Sequence, residues 1–344
     1  MIAAPILITG GMGFLGSHLA SRLAAAGEAV RILARPRTAI EGGLNGGGNG
    51  NGDGHGSSPS SPYEVVHGDI RDPEAVRRAV RGAEVVIHLA SNFRKGGSDE
   101  KDAHDVNVGG TRNVLDACRE EGVGQLIHCS TIGVHGSVLE IPANEETPFN
   151  PLDLYQETKV QAEEEVWRRH RRDGLPVTVV RPISMIGPGD ERMLKLFRMI
   201  QKRRFVMVGD GGALFQPAYI DDVVEGFRLC LRNPDANGQA FIVGGDEYLP
   251  LRELFAVVAD ELGVPPPRLR LPMAPVVMLA DLCETLCVPL GIEPPLHRRR
   301  VSFFQSNRAF SIDKARQVLG FEPRMTLRGA VRSTIGWYRR QGWL

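Results

Sequence analysis

Pro5-Ile-Leu-Ile-Thr-Gly-Gly-Met-Gly-Phe-Leu-Gly16 runs from a short apolar stretch into a turn with glycines at 10, 13 and 16, then into the helical periodicity of Phe14 to Ala26. Strand, tight turn and helix are the reading of that order. Glycine meets three needs here: the turn itself, close approach of backbone to a phosphate, and packing of helix on sheet. Phe14 and Leu15 open the helix, whose free N–H groups and positive dipole end suit a dinucleotide pyrophosphate. Gly10, Gly13, Phe14, Leu15 and Gly16 are therefore the first candidate site.

The same alternation continues downstream. Ile6–Ile8, Val30–Leu33, Glu64–Val66, Val85–Ile87, Gln125–Ile127 and Val177–Val180 are short apolar runs separated by helical segments. Such a βαβ series predicts a parallel sheet covered on both faces. Right-handed crossovers make it an α/β, Rossmann-type doubly wound sheet. Residues 1–182 are the expected dinucleotide-binding domain. Beyond them, Pro188, Pro234, Pro250, Pro265–Pro267 and Pro294–Pro295 separate shorter helices, which predicts a smaller C-terminal substrate domain over 183–344. Within it, 218–245 is expected to return to the main sheet through Asp221–Leu231 and Phe241–Val243. Residues 42–62 hold almost only Gly, Asn, Ser and Pro and read as a disordered low-complexity loop. A tolerated insertion fits them better than a lid, because long surface loops cost little closure entropy.

The 344 residues carry 41 Lys+Arg against 41 Asp+Glu, with 42% hydrophobic side chains. That balance argues against nucleic acid or an anionic membrane as the main partner, since either selects for basic excess. A small-molecule substrate is expected instead. Cys118, Cys129, Cys230, Cys283 and Cys287 are odd in number and scattered, which fits a reducing compartment. Cys283 and Cys287 lie one helical turn apart without a second pair, so no metal site is expected. The first strand is expected to start too early for a leader, and a cytoplasmic location is expected. Leu271 to Leu290 is apolar but contains Pro275, Asp281, Glu284 and Pro289, so it does not read as a spanning helix. A core helix or pocket wall is expected there, with a peripheral membrane contact through Val276–Leu279 as the alternative.

Tyr155-Gln-Glu-Thr-Lys159 supplies the chemistry. A tyrosine titrates near pH ~10 when unperturbed, and a neighbouring ammonium favours the phenolate. Residues four apart share a helix face, so Lys159 can serve Tyr155 and also reach a cofactor ribose. Tyr155 then exchanges a proton with a substrate hydroxyl as hydride moves. Cys129-Ser-Thr131 ends a strand and offers Ser130 or Thr131 to the same substrate oxygen. At the end of the second strand Ala34 stands where a carboxylate would bind an NAD ribose, and Arg35 and Arg37 follow. That pattern favours NADP over NAD. His88, His128 and His135 lack the partners of a metal set; His135 is expected in a loop, at the surface or against the pocket.

These motifs together resemble the extended short-chain dehydrogenase/reductases, the group of the NAD-dependent epimerase/dehydratases, over essentially the whole chain. His67-Gly-Asp-Ile-Arg-Asp72 is similar to the family's adenine-contacting turn and implies Asp69 and Ile70. Ile87-His-Leu-Ala-Ser91 resembles the segment along the cofactor, implying Leu89, Ala90 and Ser91. Asn107-Val-Gly-Gly-Thr111, Cys129-Ser-Thr131 and Val180-Arg-Pro182 match further signatures and imply Asn107, Thr131 and Pro182. The ending from Phe310-Ser-Ile-Asp-Lys-Ala315 to Trp337-Tyr338 is also similar. A homodimer through helices 102–121 and 153–172 is what the resemblance implies.

Substrate is harder to read. Members acting on nucleotide sugars hold the diphosphate with an Asn and an Arg where this chain has Ser184 and Phe215. Arg181-Pro through Gly187-Pro-Gly-Asp190 also resembles 3β-hydroxysteroid dehydrogenases and dihydroflavonol reductases. Arg192 and Arg298–Arg300 nevertheless offer charge for a diphosphate. Ser91, Thr131, Ser184 and Phe215 are the candidate substrate residues. The leading expectation is an NAD(P)-dependent oxidoreductase or epimerase acting on a carbinol carbon of a nucleotide sugar. The alternative is a steroid- or flavonoid-type ketone reductase with a pocket of Phe215, Met185 and the Leu271–Leu290 helix. A non-catalytic NADP sensor is the third. Dehydration is disfavoured, because Ile132-Gly133 follows Thr131 where dehydratases carry Asp-Glu.

Overall fold

The computed structural model describes residues 4–36, 62–93, 100–287, 296 and 301–344. Arg37, Arg298–Arg300 and the 42–62 loop apart from Pro62 lie outside the described residues. Seven parallel strands form the main sheet: β1 (Ile6–Thr9), β2 (Val30–Ala34), β3 (Glu64–His67), β4 (Val85–His88), β5 (Gln125–Cys129), β6 (Val177–Pro182) and a last one at Gln239–Val243. Their spatial order is β3-β2-β1-β4-β5-β6 followed by the Gln239–Val243 strand. This is the doubly wound α/β sheet the periodicity predicts, and the strand order reverses between β1 and β4. Ligands bind outside the carboxyl ends of the strands at such a reversal.

Alternate residues of β1 feed two cores. Ile6 and Ile8 join one that also holds Leu19, Phe241 and Phe255, while Leu7 joins another with Val86, Leu126 and Val177. All four β1 residues are fully buried, as a strand covered on both faces must be. Helices α1 (Phe14–Ala25), α2 (Pro73–Val80), α3 (Glu100–His104), α4 (Gly110–Glu120) and α5 (Leu154–Asp173) supply the covers. The Asp72 carboxylate caps α2 and the Asp153 carboxylate caps α5, each accepting a backbone N–H. One expectation is corrected. The span 102–121 is not one regular helix, because a π-helical turn at Asp105–Gly109 separates α3 from α4.

The chain past β6 leaves the sheet and comes back. Ser184–Ile186 (β7) pairs with Pro217–Tyr219 (β10), Met207–Val208 (β8) with Arg270–Leu271 (β13), and Leu214–Phe215 (β9) with Leu249–Pro250 (β12). Between these, α7 (Ile220–Cys230) packs against α1 and leads to Gln239–Val243 (β11), which pairs with β6. Gln239–Val243 thus lies in the main sheet, whereas Pro217–Tyr219 pairs with β7 outside it. Helix α6 (Leu194–Gln201) and the C-terminal helix Leu327–Arg340 both pack on α8 (Leu251–Leu262), and α9 (Met273–Cys287) follows β13. None of the described helices is long and apolar enough to cross a membrane.

The glycine turn is held by sterics. Gly10 has φ +73°, and a Cβ there would lie 2.8 Å from the backbone nitrogen of Ala90. A Cβ on Gly16 would lie 2.2 Å from the Gly10 carbonyl oxygen. Gly16→Ala must therefore push α1 off the turn. It is expected to lower the unfolding free energy by about 3 kcal/mol and to weaken dinucleotide binding, read by urea denaturation and by cofactor titration.

Candidate active site

The turn fits a pyrophosphate on its own geometry. Gly13 caps α1 without a side chain, leaving the first-turn N–H groups unclaimed by a cap, and no acidic residue stands in that turn. Gly10 lies against Ala90, so the segment Leu89-Ala90-Ser91 after β4 borders the same cradle. Leu89 and Ala90 are half-buried and Ser91 is exposed. Thr9 Oγ1 ties these strand ends together, accepting from the Ala90 N–H at 3.2 Å and sharing a 2.7 Å hydrogen bond with His88 Nδ1. Ala34 ends β2 and Arg35 is exposed just beyond it. Across the β2–β3 edge Asp69 binds Arg71 through both carboxylate oxygens, at 2.9 and 2.7 Å, and Arg71 reaches Asp102 at 2.9 Å. Hydrogen bonding to Arg71, with a smaller contribution from the charge of Arg35, holds the Asp69 carboxyl below the ordinary range. Ile70 is buried.

Asn107 sits in the π-helical turn and is 1% exposed. Its amide donates to Thr158 Oγ1 at 2.8 Å and to the Asn92 carbonyl at 3.2 Å, and its oxygen accepts from the Asn92 N–H at 2.6 Å. Both N–H bonds are thus spent within the protein. What Asn107 does is fasten the loop after β4 to α5, and the wider π turn places its side chain for that.

On α5 the expected pair extends into a column. Tyr155, Lys159, Glu163 and Trp167 are each four residues apart and so share one face. Tyr155 is half-buried, with the exposed Phe93 ring edge-on at 4.9 Å. Lys159 is 3% exposed, and its Nζ donates to the Cys129 carbonyl at 2.7 Å. Burial holds its pKa below the ordinary lysine value, against the pull of Glu163. Glu163 is fully buried and takes Arg181 Nη2 at 2.5 Å, Arg181 Nε at 3.2 Å and the Trp167 indole N–H at 3.1 Å. Burial pushes that carboxyl up, but the Arg181 hydrogen bonds and charge outweigh it and leave the pKa lowered.

Two hydroxyls follow β5. Ser130 is 3% exposed and faces Glu163 without completing a hydrogen bond. Thr131 is half-buried, and its Oγ1 accepts from the Gly133 N–H at 3.1 Å, capping the 3₁₀ turn Ile132–His135. Its own O–H remains available to donate. Pro182, at the end of β6, is buried opposite Val243.

Three expectations change. His135 is not a surface histidine: it is 1% exposed, packed between Phe149 and Phe310, with Arg181 Nη1 at 3.3 Å. Phe215 is a core residue and not an exposed wall. It is 4% exposed and packed on Phe303, on β9 where that strand pairs with β12 against α8. Arg192 is engaged by Asp190 at 2.7 Å and by the Met185 carbonyl at 2.7 Å. Ser184 and Met185 are half-buried on β7. Among the described residues no cluster of three potential ligands could hold a metal.

Glu163, Arg181 and Phe93 had no assigned part in the sequence reading. The first was findable, since it continues the four-residue spacing of Tyr155 and Lys159. Phe93 left no such signal.

Comparison with known proteins agrees with this architecture. The model of the NAD dependent epimerase/dehydratase family matches residues 6–244. A 3beta-hydroxysteroid-dehydrogenase/decarboxylase (isoform 1) of Arabidopsis thaliana is 30% identical over 96% of this chain and 78% of its own. A 3 beta-hydroxysteroid dehydrogenase/Delta 5-->4-isomerase of Mycobacterium tuberculosis (strain CDC 1551 / Oshkosh) is 31% identical over 97% of this chain and 90% of its own. The crystal structure of gox2253 superposes with a TM-score of 0.79 at 30% identity, covering 99% of this chain and 100% of that one.

The buried imidazoles make stability depend on acid. Burial, helped by the Lys159 charge, lowers His88 from 6.5 to about 3, so the unfolded chain binds its proton first. The stability His88 contributes is complete above pH 6.5 and is lost as pH falls towards about 3. Across that window the advantage of the wild type over His88→Gln should shrink by about 1.4 kcal/mol per pH unit, measured by urea unfolding. A constant difference would remove His88 as its source.

Proposed function

The chain belongs to the NAD dependent epimerase/dehydratase family, and from that membership we propose that it oxidises a secondary alcohol, or reduces the matching ketone, on a substrate with an apolar, sterol-like body. Phe93 carries this reading. Its ring, 42% exposed, stands edge-on to Tyr155, so the proton-exchanging phenol has an aromatic wall beside it. Ser184 and the buried Phe215 stand where nucleotide-sugar members carry their diphosphate ligands, and Arg192 is already paired. The 3β-hydroxysteroid relatives at 30–31% identity support the same choice. The nucleotide-sugar reading ranks second for these reasons.

A nicotinamide dinucleotide, when bound, supplies the acceptor or donor of hydride. Gly10, Gly13, Phe14, Leu15 and Gly16 would hold its pyrophosphate, Asp69 and Ile70 its adenine, and Leu89–Ser91, Lys159 and Pro182 its other half. In the oxidising direction Tyr155 accepts the proton of the substrate hydroxyl, and in the reducing direction it returns it. Lys159 favours the phenolate by its charge, and the Cys129 carbonyl fixes where that charge sits. Thr131 donates to the reacting oxygen through its O–H, while the Gly133 N–H holds its Oγ1 in place. Ser130 is turned to Glu163 and serves the column from behind. The homodimer implied by resemblance would meet on an α5 face carrying exposed Glu157, Gln161, Glu164 and Arg168, which makes it a polar interface.

Purified protein given oxidised cofactor and a 3β-hydroxysteroid should form reduced nicotinamide, while UDP-glucose should give neither reduction nor epimerised sugar. Tyr155→Phe is expected to cut turnover by about 10²–10⁴-fold with cofactor affinity unchanged. Turnover of the sugar alone would reverse the ranking of substrates.

We further propose NADP as the preferred dinucleotide, on the exposed Arg35 after a strand that ends in Ala34. Arg35→Ala should weaken NADP binding about tenfold and leave NAD nearly untouched. Calorimetry showing equal affinities in the unaltered protein would refute this preference.

A further inference from the structure

Many of the exposed large hydrophobic side chains gather in one stretch. Leu269, Leu271, Met278, Leu279, Leu282 and Leu286 are 45–71% exposed and fall within residues 269–286. On α9, at 3.6 residues per turn, Pro275, Met278, Leu279, Leu282 and Leu286 fall within an arc of about 100°. Ala280, fully buried, lies on the opposite side, and the half-buried Asp281 and Glu284 also lie off the stripe. A continuous exposed apolar face of this kind marks a contact surface.

Exposed positive charge without an ion pair among the described residues adjoins it. Lys202, Arg203 and Arg204 are exposed on the approach to β8, and Arg268 and Arg270 are exposed at β13. These strands pair in parallel with Met207 opposite Arg270, so the five cations are neighbours in the fold, and α9 begins two residues after β13. None of the five has an ion pair among the described residues, whereas Arg328 and Arg332 on the C-terminal helix pair with Asp260 and Glu261 of α8. A surface groove of about 460 Å³ over α6, lined by Lys195, Arg198, Lys202 and Arg204 with Glu191, extends the basic area. The only acid between β8 and β9, Asp210, accepts from the Gly212 N–H.

We infer that this face docks on an anionic phospholipid surface, with α9 in the interfacial plane, its apolar stripe at the acyl boundary and the adjoining cations on the headgroups. A helix of 15 residues with Pro275 near its start lies on a bilayer and does not cross it. The formal neutrality of the whole chain does not oppose this. Salt confines each charge's influence to about 8–10 Å, so a membrane meets the local patch and not the net charge. The inference is independent of which substrate the active site takes.

Vesicle flotation of the full chain tests it, using phosphatidylcholine alone and phosphatidylcholine mixed with phosphatidylserine. Binding is expected only to the mixture, and it should weaken with added salt. Leu282→Ser with Leu286→Ser should reduce partitioning at least about tenfold, and Arg268→Ser with Arg270→Ser by about tenfold. All four positions are exposed, so an unchanged melting temperature confirms that each variant is folded. Failure to float with either vesicle overturns the inference, as does binding indifferent to both double variants. So does a leucine variant that turns an oligomer into a monomer while vesicle binding is unchanged, since a second copy then covers the face.

Discussion

A lysine ammonium taken almost completely out of water constrains everything around Tyr155. Left alone, burial would drive Lys159 to its neutral form or unfold the helix that carries it. Its surroundings answer that strain in a definite way. The Cys129 carbonyl at the end of β5 accepts from Nζ, and Glu163 supplies a negative charge one turn along α5. Arg181 from β6 then neutralises Glu163 through two nitrogens. The same ammonium helps keep His88 and His128 uncharged, although burial is the larger cause in both. Cys129 and Glu163 raise the Lys159 pKa against the burial that lowers it.

The chain of contacts also makes the surroundings of Tyr155 sensitive to changes at a distance. Removing one partner of a buried ion pair leaves the other uncompensated and costs about 3–5 kcal/mol. Asn107 has an analogous part on the other side of α5, where the π turn aims its amide at Thr158 and at the backbone of Asn92. Helix, loop and sheet edge are thereby registered against one another around the glycine turn. Tyr155, in the first turn of α5, inherits its position from these neighbours and from the Asp153 cap.

Surface chemistry divides in a different way from the core. The α4–α5 side is covered by internal ion pairs such as Arg112 with Glu165 and Arg169 with Asp116, which spend its charges locally. The β8, β13 and α9 side has exposed cations with no ion pair among the described residues, beside exposed leucines. One side pairs its charges internally, and the other leaves an apolar stripe exposed.

The strand–turn–helix at residues 5–16, the βαβ series, the strand ending at Phe241–Val243 and the Tyr155–Lys159 spacing were all legible in the linear sequence. They rest on local rules: side-chain periodicity, the steric freedom of glycine, and the four-residue repeat of a helix face. Other features depended on elements far apart in the chain. Arg181 meets Glu163 only because β6 lies beneath α5, and Phe93 meets Tyr155 only because the loop after β4 folds over the start of that helix. His135 and Phe215 look like loop and pocket residues in the sequence, yet both are buried, because packing from residues 149, 303 and 310 closes over them. Local pattern determined which segments become strands and helices and set Tyr155 and Lys159 on one helix face. Tertiary structure alone decided which charges were buried together and which apolar face was left uncovered, since burial depends on neighbours that sequence distance does not reveal.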